Sequence, residues 1–208
     1  YKRFYLMNYS ITRRPRRNRQ SAAMRALAQE ATASVNDLIF PMFIVEGTGV
    51  RSEVKSMPGI YRYSLDTLLE ELKEVTDLGI QCIDLFPNYS EDKKDKFATE
   101  SYRDGTLYLD ALKKVKDTFP ELALMTDVAM DPYSSDGHDG LVENGQIVND
   151  ATLDILAKMA VAQARAGADI LGPSDMMDGR VGYIRQALDA EGFTNVSIMS
   201  YSAKYASA

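Results

Sequence analysis

The chain has 208 residues, 45% of them hydrophobic and 26% charged, with a formal net charge of −6. That length and balance suit one sizeable globular core and exclude a collagen-like or charge-dominated disordered chain. No apolar run approaches the roughly 20 residues of a membrane-spanning helix, and no signal-peptide apolar stretch opens the chain, so a cytoplasmic protein without a membrane partner is expected.

The first twenty residues hold seven of the 24 basic residues and none of the 30 acidic ones. Arg13, Arg14, Arg16, Arg17 and Arg19 could form a phosphate-binding stripe. Phe4, Tyr5, Leu6, Met7, Tyr9 and Ile11 make the same stretch apolar and aromatic. An arm that packs on an acidic neighbouring subunit accounts for both features, whereas nucleic acid accounts only for the charge. Residues 1–20 are therefore read as an N-terminal arm and 21–208 as the main domain.

Helix formers dominate residues 21–34, and the apolar run 38–45 follows as the first strand. Residues 65–79 predict a helix that Ser64 can cap and Gly79 can close. Strand two is 82–86, a second such helix covers 106–118, and strand three is 122–128. The polar loop 129–149 has a length uncommon in loops without function. A helix over 151–166, strand four at 169–171, a helix over 179–190 and strand five at 196–199 complete the pattern.

Alternating helices and apolar strands imply a parallel sheet with right-handed crossovers. Five strands suffice for an open doubly wound sheet, whereas a (β/α)8 TIM barrel needs eight. The polar residues favour an α/β barrel, here ending after its fifth strand. Asp127, Ser174, Asp175 and Lys204 all fall at or just beyond C-terminal strand ends, the face on which barrel enzymes collect their chemistry. No glycine-rich fingerprint follows the first strand, so a dinucleotide site has no support.

Lys204 follows an apolar strand and is surrounded by Ser200, Ser202, Ala203, Ala206, Ser207 and Ala208. A lysine so placed can lose its proton by desolvation and attack a carbonyl, although a rim lysine that snorkels to water is the plainer reading. Asp127 reads equally as a strand-end carboxylate tied to backbone amides. Ser174 and Asp175 read equally as caps for the helix that follows. Cys82 is the only cysteine, which rules out an intrachain disulfide and a thiolate zinc cluster.

The blocks MTDVAMDPYSSDGHDG (125–140), GPSDMMDGRVGYIRQALD (172–189) and IMSYSAKYASA (198–208) resemble the porphobilinogen synthase (5-aminolevulinate dehydratase) family. RRPRRNR, NDLIFPMFIVEG and SMPGIYRYS extend the likeness over nearly the whole chain. The resemblance implies a (β/α)8 barrel whose strands six to eight lie beyond Ala208. It also implies condensation of two 5-aminolevulinate molecules to porphobilinogen, with loss of water, in tetrapyrrole and haem biosynthesis. Two lysines of such enzymes form Schiff bases with the substrate ketones, and Lys204 matches the first.

By the same resemblance Asp127, Ser174, Asp175 and Tyr205 are expected at the substrate. Part of the family binds catalytic zinc through three cysteines, at positions occupied here by Ala129, Asp131 and Asp139. Asp131 and Asp139 instead suit a hard ion, Mg2+ or K+, or substrate ammonium. His138, the only histidine, is expected to shape the loop. Family members form homo-octamers with N-terminal arms wrapped around neighbouring barrels, and a plastid location is expected if the source bears plastids. A class I aldolase on the same barrel and a non-catalytic assembly module are the alternatives, and the 208 residues by themselves are expected to show little or no activity.

Overall fold

The computed structural model describes residues 11–203. It divides into two compact units, Tyr1–Ser34 and Val35–Ala208. In the first unit, Pro15–Arg19 forms a 3-10 turn, and helix α1 spans Ala22–Leu27 with Ser21 Oγ accepting from the Met24 amide at 3.1 Å. The helix expected over 21–34 therefore stops early. It buries no residue, and so short a helix has little to sustain it beyond its cap.

The second unit is built on strands β1 (Phe40–Ile44), β2 (Arg51–Glu53) and β3 (Tyr61–Tyr63), helix α2 (Leu65–Asp77) and β4 (Cys82–Pro87). Helix α3 (Leu107–Thr118), β5 (Ala123–Val128), the small hairpin β6 (Val142–Glu143) and β7 (Gln146–Ile147), and α4 (Asn149–Arg165) follow. The described elements close with β8 (Ile170–Pro173), α5 (Arg180–Ala190) and β9 (Ser197–Ile198). The sheet order is β2-β3-β1-β4-β5-β8-β9, with β1, β4, β5, β8 and β9 parallel in register and only β2 antiparallel, against β3. These five parallel strands are the five expected from the apolar runs. The three-residue strands β2 and β3 carry too short a pattern to be seen in the sequence.

Periodicity explains the helices. In α2 the buried residues Leu68, Leu72 and Val75 recur at helical spacing and face the sheet, and the chain leaves through Gly79 at φ 85°, a left-handed conformation that favours glycine. Strand β5 shows the complementary period of two. Thr126 points to the helix side, where its hydroxyl donates to Gln163 of α4, while Met125 and Asp127 occupy the other face. The core lies between sheet and helices and includes Leu72, Ile83, Leu85, Leu112, Leu124, Leu171 and Ile184. Among the described residues no helix is long and apolar enough to cross a membrane.

Candidate active site

Parallel strands deliver their C-terminal ends to one edge of the sheet, and a cavity of about 480 Å3 opens there. Phe43, Arg62, Phe86, Pro87, Asn88, Lys94, Asp127, Asp131, Asp139 and Ser174 are among the residues lining it. Asp127 sits near the end of β5 and is 7% exposed. Its Oδ1 accepts a 2.7 Å hydrogen bond from Ser174 Oγ, and its backbone carbonyl accepts one of 2.9 Å from Gln163 Nε2. Gln163 is itself fully buried and takes the Thr126 hydroxyl on its other end at 2.7 Å. One amide thus fixes both the strand end and the helix behind it.

Asp131 and Asp139 come from the loop after β5, and the loop is anchored rather than slack. Tyr133 is buried against Tyr89 and Tyr108, with ring centroids 5.5 and 6.4 Å away. Its carbonyl accepts from the Asp95 amide at 3.1 Å, and Asp95 in turn accepts from Ser135. Asp95 Oδ1 caps the next turn by accepting from the Phe97 and Thr99 amides. At the loop's far end Thr152 Oγ1 accepts from the Leu141 amide at 3.0 Å. Asp131 is exposed and Asp139 half-buried, while Ala129 is sealed in the interior and His138 faces solvent.

Asp175 stands apart from the other carboxylates. Its side chain is fully buried, its Oδ1 accepts from the Met177 amide at 2.8 Å, and its Oδ2 lies 3.6 Å from Arg180 Nε. Burial raises its pKa above the usual carboxylate value, with the Met177 amide and Arg180 opposing the shift. It shapes the turn into α5, where Met176 holds φ 66°. Lys204 and Tyr205 lie outside the described residues.

The sequence did not single out Arg62 or Lys94, the two cations among the described residues that line the cavity. Lys94 also pairs with Glu91 at 2.7 Å. Arg62 lies between two tyrosines in the three-residue strand β3 and Lys94 in the charged run 91–96, and neither has a period that would set it apart. Asp84 was also missed, although a carboxylate inside the apolar strand CIDLFP was a visible signal.

A parallel sheet packed against helices, with its polar groups gathered at the strand C-termini, is the arrangement of α/β enzymes. A family model for delta-aminolevulinic acid dehydratase matches residues 12–208, and the chain belongs to that family. It is 53% identical over 199 residues to the chloroplastic delta-aminolevulinic acid dehydratase of Oryza sativa subsp. japonica, covering 95% of this chain and 46% of that protein. It is 44% identical over 202 residues to the Chlamydia pneumoniae delta-aminolevulinic acid dehydratase, covering 97% and 61%. The crystal structure of the Toxoplasma gondii ME49 enzyme in complex with its reaction product porphobilinogen superposes with a TM-score of 0.90 at 48% identity, covering 95% of this chain and 56% of that one. The fold is thus that of the (β/α)8 barrel, and the chain spans about half the length of the relatives it matches.

Proposed function

We propose that the protein carrying this chain condenses two molecules of 5-aminolevulinate to porphobilinogen, using Lys204 as a Schiff-base amine. The observation that carries this reading is the convergence of Asp127, Ser174, Asp131 and Asp139 on one cavity, in a chain 48% identical to an enzyme solved with porphobilinogen bound. A neutral lysine amine adds to the substrate ketone, and the carbinolamine loses water to give an iminium that acidifies the adjacent carbon. Asp127 is set to take or return a proton in those steps, with Ser174 holding its carboxylate in place. Arg62 and Lys94 offer charge for a substrate carboxylate. Asp175 and Tyr205 complete the proposed substrate set, Asp175 by holding the turn beyond Ser174.

Mg2+ or K+ would be held by Asp131 and Asp139, whose oxygens line the same cavity and are the hard donors such ions take. Bound there, the ion would supply positive charge that polarises a carbonyl or acidifies a water. A zinc site built on thiolates is closed to this chain, whose one cysteine, Cys82, begins β4 at the opposite end of the sheet.

Residues 1–20 serve, in this reading, as the arm of a homo-octamer, supported by their basic and aromatic composition against an otherwise acidic chain. The location is the cytoplasm or a plastid, the latter supported by the chloroplastic names of the rice and Arabidopsis thaliana relatives.

Borohydride reduction of the native-length protein with 5-aminolevulinate, read by intact mass and peptide mapping, tests the proposal. An adduct on Lys204 is expected. An adduct with a sugar or keto-acid carbonyl and none with 5-aminolevulinate would point to an aldolase and sink it.

A further inference from the structure

Tyr201 follows β9 and reaches back across the sheet's inner face. Its hydroxyl donates to Asp84 Oδ2 at 2.7 Å, joining positions 117 apart. Strands β5 and β8 lie between the two partners, so the bond spans the face rather than linking neighbouring strands. Gly172 leaves room for the crossing. A Cβ there would stand 2.6 Å from Met125 Cε, 3.0 Å from Tyr201 Cε2 and 3.2 Å from the Thr126 carbonyl.

Asp84 is 5% exposed, and its Oδ1 is buried with no hydrogen-bond partner among the described residues. A buried carboxyl with one oxygen unpartnered among the described residues carries a desolvation cost that an apolar side chain would not. Its use therefore lies in what it holds. Residues 199–203 join the sheet through backbone bonds from Met199 to Leu171 at 2.8 Å and from Tyr201 to Pro173 at 3.4 Å. A cavity of about 480 Å3 lies beside Tyr201, into which a released ring could swing. The residue that follows this segment is Lys204.

We propose that Asp84 is a positioning residue: by accepting from Tyr201 across the sheet, it anchors residues 199–203 and thereby sets where Lys204 presents its amine. The anchoring stands on geometry alone, while its consequence for catalysis rests on the Schiff-base reading above. Strand two of the barrel thus braces the end of strand five.

The test compares the native-length wild type with Tyr201→Phe, Asp84→Leu and Asp84→Asn. Hydrogen exchange is read on peptides covering 199–203 and 123–128, and borohydride trapping is followed across 5-aminolevulinate concentrations. Tyr201→Phe and Asp84→Leu are expected to exchange about tenfold faster at 199–203, with 123–128 unchanged. Both are expected to trap more slowly at saturating substrate, with little change in the half-saturating concentration. Asp84→Asn keeps an oxygen acceptor of the same shape and is expected to recover most of both. Tyr201→Phe, which deletes a single hydroxyl, decides the matter if Asp84→Leu fails to fold. Unchanged exchange in Tyr201→Phe overturns the proposal, as does an Asp84→Asn defect equal to that of Asp84→Leu. If exchange responds as expected but the wild type traps no 5-aminolevulinate, the anchoring stands and the Schiff-base reading falls.

Discussion

Ser174, just beyond β8, donates a 2.7 Å hydrogen bond to the carboxylate of Asp127 near the end of β5, across 47 positions of sequence. The bond joins the ends of adjacent parallel strands, so the sheet register itself holds the pair together. A carboxylate held by a hydroxyl in a nearly closed setting keeps one orientation toward whatever enters the cavity.

Ser174→Ala removes that donor. Hydrogen bonds to charged groups contribute about 1.5–3 kcal/mol, so kcat/KM for porphobilinogen formation should fall roughly tenfold to a hundredfold. The thermal midpoint should fall by several degrees for the same reason, so activity is read well below it, on folded protein. Unaltered kcat/KM would remove Ser174 from the site.

Gln163→Leu strips partners from both the Thr126 hydroxyl and the Asp127 carbonyl. The Thr126 hydroxyl retains the Ile170 carbonyl at 3.5 Å as a weak acceptor, so the loss in denaturant unfolding, about 1–3 kcal/mol, comes mainly from the Asp127 carbonyl left without its side-chain partner. Activity should drop alongside, because the same amide holds the backbone of Asp127.

Gly172→Ala tests the packing under Tyr201. The added methyl meets Met125, Tyr201 and the Thr126 carbonyl at once, and the last of these cannot swing aside. Overpacking of this kind costs about 1–3 kcal/mol, seen as a Tm lower by several degrees.

Burial raises the pKa of Asp84 from 3.8 to about 6, with the Tyr201 hydroxyl opposing the shift. The folded state thus holds this proton more tightly than the unfolded one, so the group favours folding in acid and penalises it once ionised. The penalty is complete above about pH 6, on the order of 3 kcal/mol, and fades as pH falls from 6 toward 4. Asp84→Asn should therefore unfold at higher denaturant than the wild type at pH 7.5, with the gap narrowed to about a third by pH 4.5. A gap independent of pH would contradict the raised pKa.

Titration calorimetry of Mg2+ into chelator-treated protein checks the cation assignment. Asp139→Ala and Asp131→Ala should each weaken binding about tenfold or more, the order expected for loss of one carboxylate donor. Equal affinity in both variants and the wild type would move the cation elsewhere.

The amino-acid sequence by itself determined the order of five parallel strands and their helices, because burial of one helix face and of strand interiors writes a local period into the chain. Leu68, Leu72 and Val75 announce α2, and the run Cys82 to Pro87 announces β4. The candidate site was legible as single residues at or beyond strand ends, Lys204 foremost with Asp127, Ser174 and Asp175, and as a resemblance carried by whole blocks. Pairing was not legible, because sequence spacing holds no information on which distant side chains meet. Tertiary structure alone decided that Ser174 reaches Asp127, that Gln163 clamps β5, and that Tyr201 crosses Gly172 to Asp84. It also turned Asp175 into the interior beside Arg180 while Asp127, Asp131 and Asp139 line the cavity, since a carboxylate's surroundings follow from the path of the backbone around it and not from its own chemistry.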